Sequence, residues 1–304
     1  MERVAAFLLL ALLISLTCGP SDAGDPSNST IAFRSEIVTE ITDRRISEIS
    51  GMALSRRAEN TLWVINDSGD APRLYALNTA GKVIAVVDVD GAENLDWEDL
   101  ASFEIDGVPH LLIADIGNNV VHRDVFSLYL IKEPPLQDGT VAVEQRFNFQ
   151  YVDGARDCES ISFDPVHQKI LLLSKRDVPA ILYELDFINT DVPLIAQRAG
   201  EVFSIPQPVA EEMKKHLDQF HAQPTAMDVL PDDSKLAILT YRRLFVYDHH
   251  PDKTIIESLN QMNRAMVEYP ALEQAEAMCF DFDYKSILIT TEKLPAQILR
   301  IQLE

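Results

Sequence analysis

Apolar and polar positions alternate in blocks along this chain, and the blocks repeat. One unit recurs five times, each opening with a short strand in which an oxygen-bearing residue precedes an apolar one by two positions. The openings are Ser50-Gly-Met52, Glu98-Asp-Leu100, Glu159-Ser-Ile161, Thr225-Ala-Met227 and Glu276-Ala-Met278. A second apolar strand follows each and ends in a polar residue: Leu62 to Asn66, Leu111 to Asp115, Ile170 to Ser174, Leu236 to Thr240 and Ile287 to Thr291. Third strands read Leu74 to Leu77, Leu128 to Ile131, Leu182 to Leu185, Leu244 to Tyr247 and Ile298 to Ile301. The first four units carry a fourth strand, as at Val83 to Val89 and Arg146 to Tyr151.

Four-strand repeats of roughly 40 to 60 residues are the mark of β-propeller blades. The expected fold is therefore all-β, a five-bladed β-propeller. The fifth unit ends after three strands, while Ser35 to Thr42 is a spare strand ahead of the first opening. That strand is expected to complete the last blade and close the ring, which removes exposed edges. Val209 to Gln223 has apolar residues at helical spacing between two prolines and predicts a short inserted helix, and Ile255 to Met266 is a weaker helical candidate.

In a propeller the first strand of each blade lines the axis, so Ser50, Glu98, Glu159, Thr225 and Glu276 are expected to converge in a ring. Three carboxylates aimed at one axis raise each other's pKa unless a cation screens them. Three carboxylates, two hydroxyls and water suit Ca²⁺, which takes oxygen ligands. Asp99 is placed to support Glu98. The loops after the second strands surround the mouth of this ring. They carry Asn66, Asp67 and Asp115 in the first two blades, and Lys175, Arg176, Arg242, Arg243 and Lys293 in the others. Basic side chains beside a metal suit a small phosphate or carboxylate ligand.

Composition sharpens the partner classes. The chain has 304 residues, 47% of them hydrophobic, and 48 Asp plus Glu stand against 26 Lys plus Arg, a net charge of −22. Nucleic acid and anionic membranes are thereby poor partners. The apolar run Val4 to Leu16 follows Arg3 and precedes Ser21-Asp-Ala23, which predicts an export signal over residues 1–23, a polar leader over 24–34 and the propeller over 35–304. The run is too short to span a membrane, so a periplasmic or secreted protein with no transmembrane span in its mature chain is expected. Lipid anchoring at Cys18 is the lesser alternative, because Leu16 stands one place late for that signal. Cys158 and Cys279 read as small buried hydrophobes, Trp63 and Trp97 as packing residues, and His249-His250 as a surface pair. His216 and His221 fall on the inserted helix.

The stretches Ser47 to Ala53, Leu62 to Gly69 and Asp96 to Ala101 resemble exported bacterial propellers near the SdiA-regulated and phytase-like groups. The order Ser, Glu, Glu, Thr, Glu around the axis is similar to the calcium ring of five-bladed soluble calcium-dependent nucleotidases, the apyrases. That likeness implies calcium ligation by Ser50, Glu98, Glu159, Thr225 and Glu276. Three functions stay open from the residues: a calcium-dependent phosphoester or phosphoanhydride hydrolase, a non-catalytic propeller that docks a protein or envelope component, and a glycosidase using two of the three glutamates.

Overall fold

The apolar runs form strands, and the strands form antiparallel meanders. The computed structural model describes residues 33–119, 123–190, 192–206, 223–261, 264–269, 272 and 274–303. Strand β1 (Arg34–Ile41) precedes a first meander of β2 (Ile49–Leu54), β3 (Thr61–Asn66), β4 (Arg73–Asn78) and β5 (Val83–Asp90). The second comprises β6 (Trp97–Ile105), β7 (Val108–Asp115), β8 (Phe126–Lys132) and β10 (Gln145–Tyr151), with the short β9 (Gly139–Ala142) between the last two. The third is β11 (Cys158–Asp164), β12 (Lys169–Ser174), β13 (Ala180–Asp186) and β14 (Leu194–Val202). The fourth is β15 (Pro224–Val229), β16 (Lys235–Thr240), β17 (Arg243–Asp248) and β18 (Arg264–Glu268), and the chain ends with β19 (Ala275–Phe280), β20 (Ser286–Thr291) and β21 (Ala296–Gln302).

β1 pairs antiparallel with β21 from Arg34 opposite Gln302 to Ile41 opposite Ala296, so the N-terminal strand completes the last meander as expected. Around the molecule β2 packs on β6, β6 on β11, β11 on β15, β15 on β19 and β19 back on β2. An apolar layer fills each gap between successive meanders. Trp63, Ile65 and Leu111 belong to the layer between the first two, and Met52, Val64 and Leu288 to the layer between last and first. β3 is buried along its whole length, whereas the outer β5 alternates buried and exposed positions. This is why inner strands read as continuous apolar runs and outer ones as alternation. The fold is all-β and propeller-like.

The pairing departs from separate four-stranded sheets in two places. Outer strands β10 and β14 pair in parallel, fusing the second and third meanders into one eight-stranded sheet, and β9 adds in parallel to the edge of β5. Both pairings satisfy backbone groups that an outer edge would leave open.

The expected helix at Val209 to Gln223 lies, except for Gln223, outside the described residues, as do the expected signal segment, His216 and His221. The candidate at Ile255 to Met266 is corrected: α1 spans only Ile255–Leu259, and Met266 belongs to β18. Thr254 and Glu257 form a reciprocal capping box at its start. Asn260 ends it by donating Nδ2 to Glu201 O at 2.8 Å and accepting Phe203 N at 2.8 Å. The histidine pair is corrected too. Only His250 is exposed. His249 is buried, with Nδ1 2.7 Å from Ser258 Oγ and Nε2 3.2 Å from Asp233 Oδ2, and so bolts α1 to the turn before β16. Trp63 and Trp97 are fully buried, donating Nε1 to Glu133 Oε1 and Glu93 O, and Cys158 and Cys279 are buried and unpaired.

Candidate metal centre

One local irregularity positions the candidate site. Every inner strand breaks register once, and the skipped residue is Ser50, Glu98, Glu159, Thr225 or Glu276. An extra residue in a strand is left out of the ladder and has its side chain re-aimed. The five residues singled out by the repeat thus share one backbone device. Gly51, next to Ser50, shows how tightly the inner strands approach: a Cβ there would lie 2.8 Å from Leu100 N, so only glycine fits. Ser50 Oγ donates to Trp97 O at 2.8 Å, and Thr225 Oγ1 donates to Ala275 O at 2.9 Å. Each hydroxyl therefore ties its strand to the residue before a neighbouring glutamate.

The three glutamates have different surroundings. Glu159 accepts a hydrogen bond from Lys175 Nζ, forming a buried ion pair, and Lys175 also sits over the Tyr241 ring, 5.3 Å from its centroid. Glu276 accepts from Tyr241 Oη at 3.1 Å. Glu98 is 5% exposed, and its Oε1 has no hydrogen-bond partner. Such an orphaned buried oxygen is costly unless something else fills its coordination.

What faces it is acidic. Among the described residues, Asp67, Asp96 and Glu98 offer carboxylate oxygens that all lie within 4.8 Å of one another. A Cβ at Gly117 would fall 2.1 Å from Glu98 Oε1 and 2.4 Å from Asp96 Oδ2. The bare glycine leaves room for both carboxylates. Asn94 fixes this corner by donating Nδ2 to Asp67 O at 2.9 Å and accepting Trp97 N at 3.2 Å. Asp115 accepts Asp96 N at 3.0 Å and pairs with Arg123 at 2.7 Å.

Of the other expected ligand-binding residues, Asn66 donates to Arg45 O and Asp70 Oδ2, both at 2.8 Å, and shapes its own loop. Arg176 clamps Asp157 and Asn119, which joins the loop after β7 to the start of β11. Arg242 and Lys293 are exposed. Asp99 gives its carboxylate to Leu100 N and Ile161 N, each at 2.8 Å, so it props β11 instead of supporting Glu98.

Asp96 and Tyr241 are the site residues the repeat reading passed over. Asp96 stands just before β6 and two positions before the bulged Glu98, and its carboxylate comes within 4.8 Å of that of Glu98. Tyr241 stands one position after the end of its second strand, as do Asp67, Lys175 and Glu292. Reading that position across the units finds a second tier of polar groups in four of the five; the second unit carries the buried Ile116 there.

Burial pushes Glu98 well above the usual carboxylate range, helped by Glu159, Asp67 and Asp96. Burial and then Glu159 push Glu276 up to about 8. Burial holds Glu159 at about 7 against the pull of Lys175, and burial with Asp67 puts Asp96 at about 6. Folded-state values above the unfolded ones mean that the native state binds protons more tightly. The stabilisation is fully present below about pH 4, near the unfolded carboxylate values, and is lost as pH rises through the folded ones. In chelator, the melting temperature is expected to fall between about pH 5 and pH 8, and added Ca²⁺ to recover most of the loss at the upper end. A metal-free melting temperature that rises over this range contradicts the shared acidic site.

No protein-family model matches the chain, and no curated protein matches it. Among solved structures it is similar to a gluconolactonase from Xanthomonas campestris, described as important in glucose secondary metabolic pathways, with 13% sequence identity, 90% of each chain covered and a TM-score of 0.45.

Proposed function

We propose that the chain is an exported five-bladed β-propeller hydrolase that holds one divalent cation, calcium by its all-oxygen donor set, at one mouth of its channel. The observation that carries this is the buried, unpartnered Glu98 Oε1 facing Asp96 and Asp67. The circular packing of β2, β6, β11, β15 and β19 supports five blades. Asp67, Asp96 and Glu98 would hold the cation, and Ser50, Glu159, Thr225 and Glu276 would complete the expected ring. When bound, the cation polarises a phosphoryl oxygen and makes water more acidic.

The remaining chemistry belongs to the chain. Glu276, which burial raises to about 8 in the metal-free chain and which accepts a hydrogen bond from Tyr241, is the group that would hold a proton and give it to the leaving oxygen. Glu159, at about 7, takes the proton of the attacking water. Lys175 stays charged beside Glu159 and offsets negative charge developing on the substrate. Two carboxyl groups with separated roles are what general acid and base catalysis needs. Arg242 and Lys293 on the rim suit a small anionic substrate.

The test is a screen of phosphoesters, phosphoanhydrides and aryl glycosides with Ca²⁺ and with chelator. Calcium-dependent turnover of a phosphorylated substrate, lost in Glu276→Gln, is expected. Retained metal with silence on every substrate would favour the non-catalytic propeller that docks a partner. Turnover of glycosides alone would make the glutamates a glycosidase pair.

A further inference from the structure

The five inner strands pack in a circle, and the two ends of that circle differ in chemistry. The ring residues stand near the starts of the strands. Ser102 on β6, Ser162 on β11 and Asp228 on β15 come later along the same strands and mark the opposite end. A cavity of about 300 Å³ opens there, lined by one cationic side chain, Arg56, and by two acidic ones, Asp228 and Glu104.

Arg56 and Asp228 are fixed in place without being neutralised. Arg56 donates Nε to Ser102 Oγ at 3.1 Å and Nη2 to Ser102 O at 2.8 Å, both uncharged acceptors. It makes no ion pair among the described residues, and Nη1 stays uncommitted. Asp228 accepts Val229 N on Oδ1 and Phe280 N on Oδ2, each at 2.9 Å. These amides orient the carboxylate and leave each oxygen a further acceptor position. Burial raises Asp228 to about 6, with Phe280 N and Arg56 pulling the other way, so it is charged at neutral pH. Glu104 is exposed. Phe103 and Phe163 stack with ring centroids 4.0 Å apart and give the cavity an apolar wall.

We propose that this cavity binds a free α-amino acid, its carboxylate on Arg56 and its ammonium on Asp228, with a cationic side chain preferred. A guanidinium matches the two oxygens of a carboxylate, and a carboxylate with open acceptor positions matches the three donors of an ammonium. Opposite charges that line one cavity without pairing suit a ligand that carries both. A simple anion would meet two carboxylates, and a simple amine would meet the guanidinium. Two acids against one guanidinium leave one negative charge over, which a side-chain amine near Glu104 balances, while the aromatic wall covers its methylene groups. The site lies at the other end of the inner strands from Asp67, Asp96 and Glu98, and it goes beyond the hydrolase reading.

Calorimetry on the full chain with L-lysine tests the site, with L-norleucine, cadaverine and hexanoate as partial mimics. L-Lysine is expected to bind best, L-norleucine more weakly, and cadaverine and hexanoate not at all under the same conditions. Arg56→Gln and Asp228→Asn should each weaken L-lysine at least roughly tenfold. Glu104→Gln should bring L-lysine down to the level of L-norleucine and leave L-norleucine unchanged. Glu104 is exposed, so its variant keeps the test valid where Asp228→Asn fails to fold. Glu98→Gln should lose calcium and keep L-lysine, so the metal reading and this one fail separately. L-Lysine that does not bind, or that binds Arg56→Gln as tightly as the wild type, overturns the proposal. Cadaverine that binds as well as L-lysine also overturns it, because the carboxylate is then not recognised. Binding lost both in chelator and in Glu98→Gln would place the amino acid on the cation and overturn this cavity as its site.

Discussion

Glu98→Gln is expected to erase the stabilisation that calcium gives. At a hundredfold excess over its Kd a single bound ion adds about 2.7 kcal/mol, and for a domain of this size that is about 5 °C in Tm. The variant should lose this increment. In chelator at about pH 8 the same variant should melt higher than the wild type, because a buried carboxylate with raised proton affinity has been replaced by a neutral amide. The opposite signs separate a ligand role from simple damage, which lowers both values. Asp96→Asn and Asp67→Asn should each weaken calcium binding with a smaller gain in chelator, since neither is as buried as Glu98. A calcium increment that survives in Glu98→Gln sinks the proposed centre.

Much of this architecture can be read in the chain because one repeat position carries one physical job. The second strands end at Asn66, Asp115, Ser174, Thr240 and Thr291, where the apolar runs stop in the sequence. The ring residues sit at bulges for the same reason they stand out by type: a position pushed out of the ladder need not be apolar. What the repeat could not supply is how neighbouring blades divide the work. Lys175 looked like a free cation for an anionic ligand, but β12 ends where its ammonium meets Glu159. Arg176 is absorbed by Asp157 in the same way.

The pair at Lys175 has the second large expected effect. In Lys175→Met, Glu159 stays buried without its partner, and breaking a buried pair from one side costs about 3–5 kcal/mol. The cost should be largest at about pH 8, where Glu159 would have to ionise alone, and should shrink towards pH 5 as it takes up a proton. Denaturant unfolding at the two pH values measures this, and the double variant Lys175→Met with Glu159→Gln should recover most of the loss. A change below about 1 kcal/mol at the upper pH would mean that the pair is open to water and is worth what surface pairs are worth. The same variant also bears on the metal. The Lys175 ammonium now holds the Glu159 side of the ring with a built-in positive charge, which leaves the Glu98 side as the better place for an external cation. Removing that charge frees Glu159 and makes the ring more negative, so calcium should bind more tightly to Lys175→Met than to the wild type. Weaker calcium binding in this variant would instead assign Lys175 a supporting role in the cation site, and the division of the ring between a lysine half and a metal half would fall.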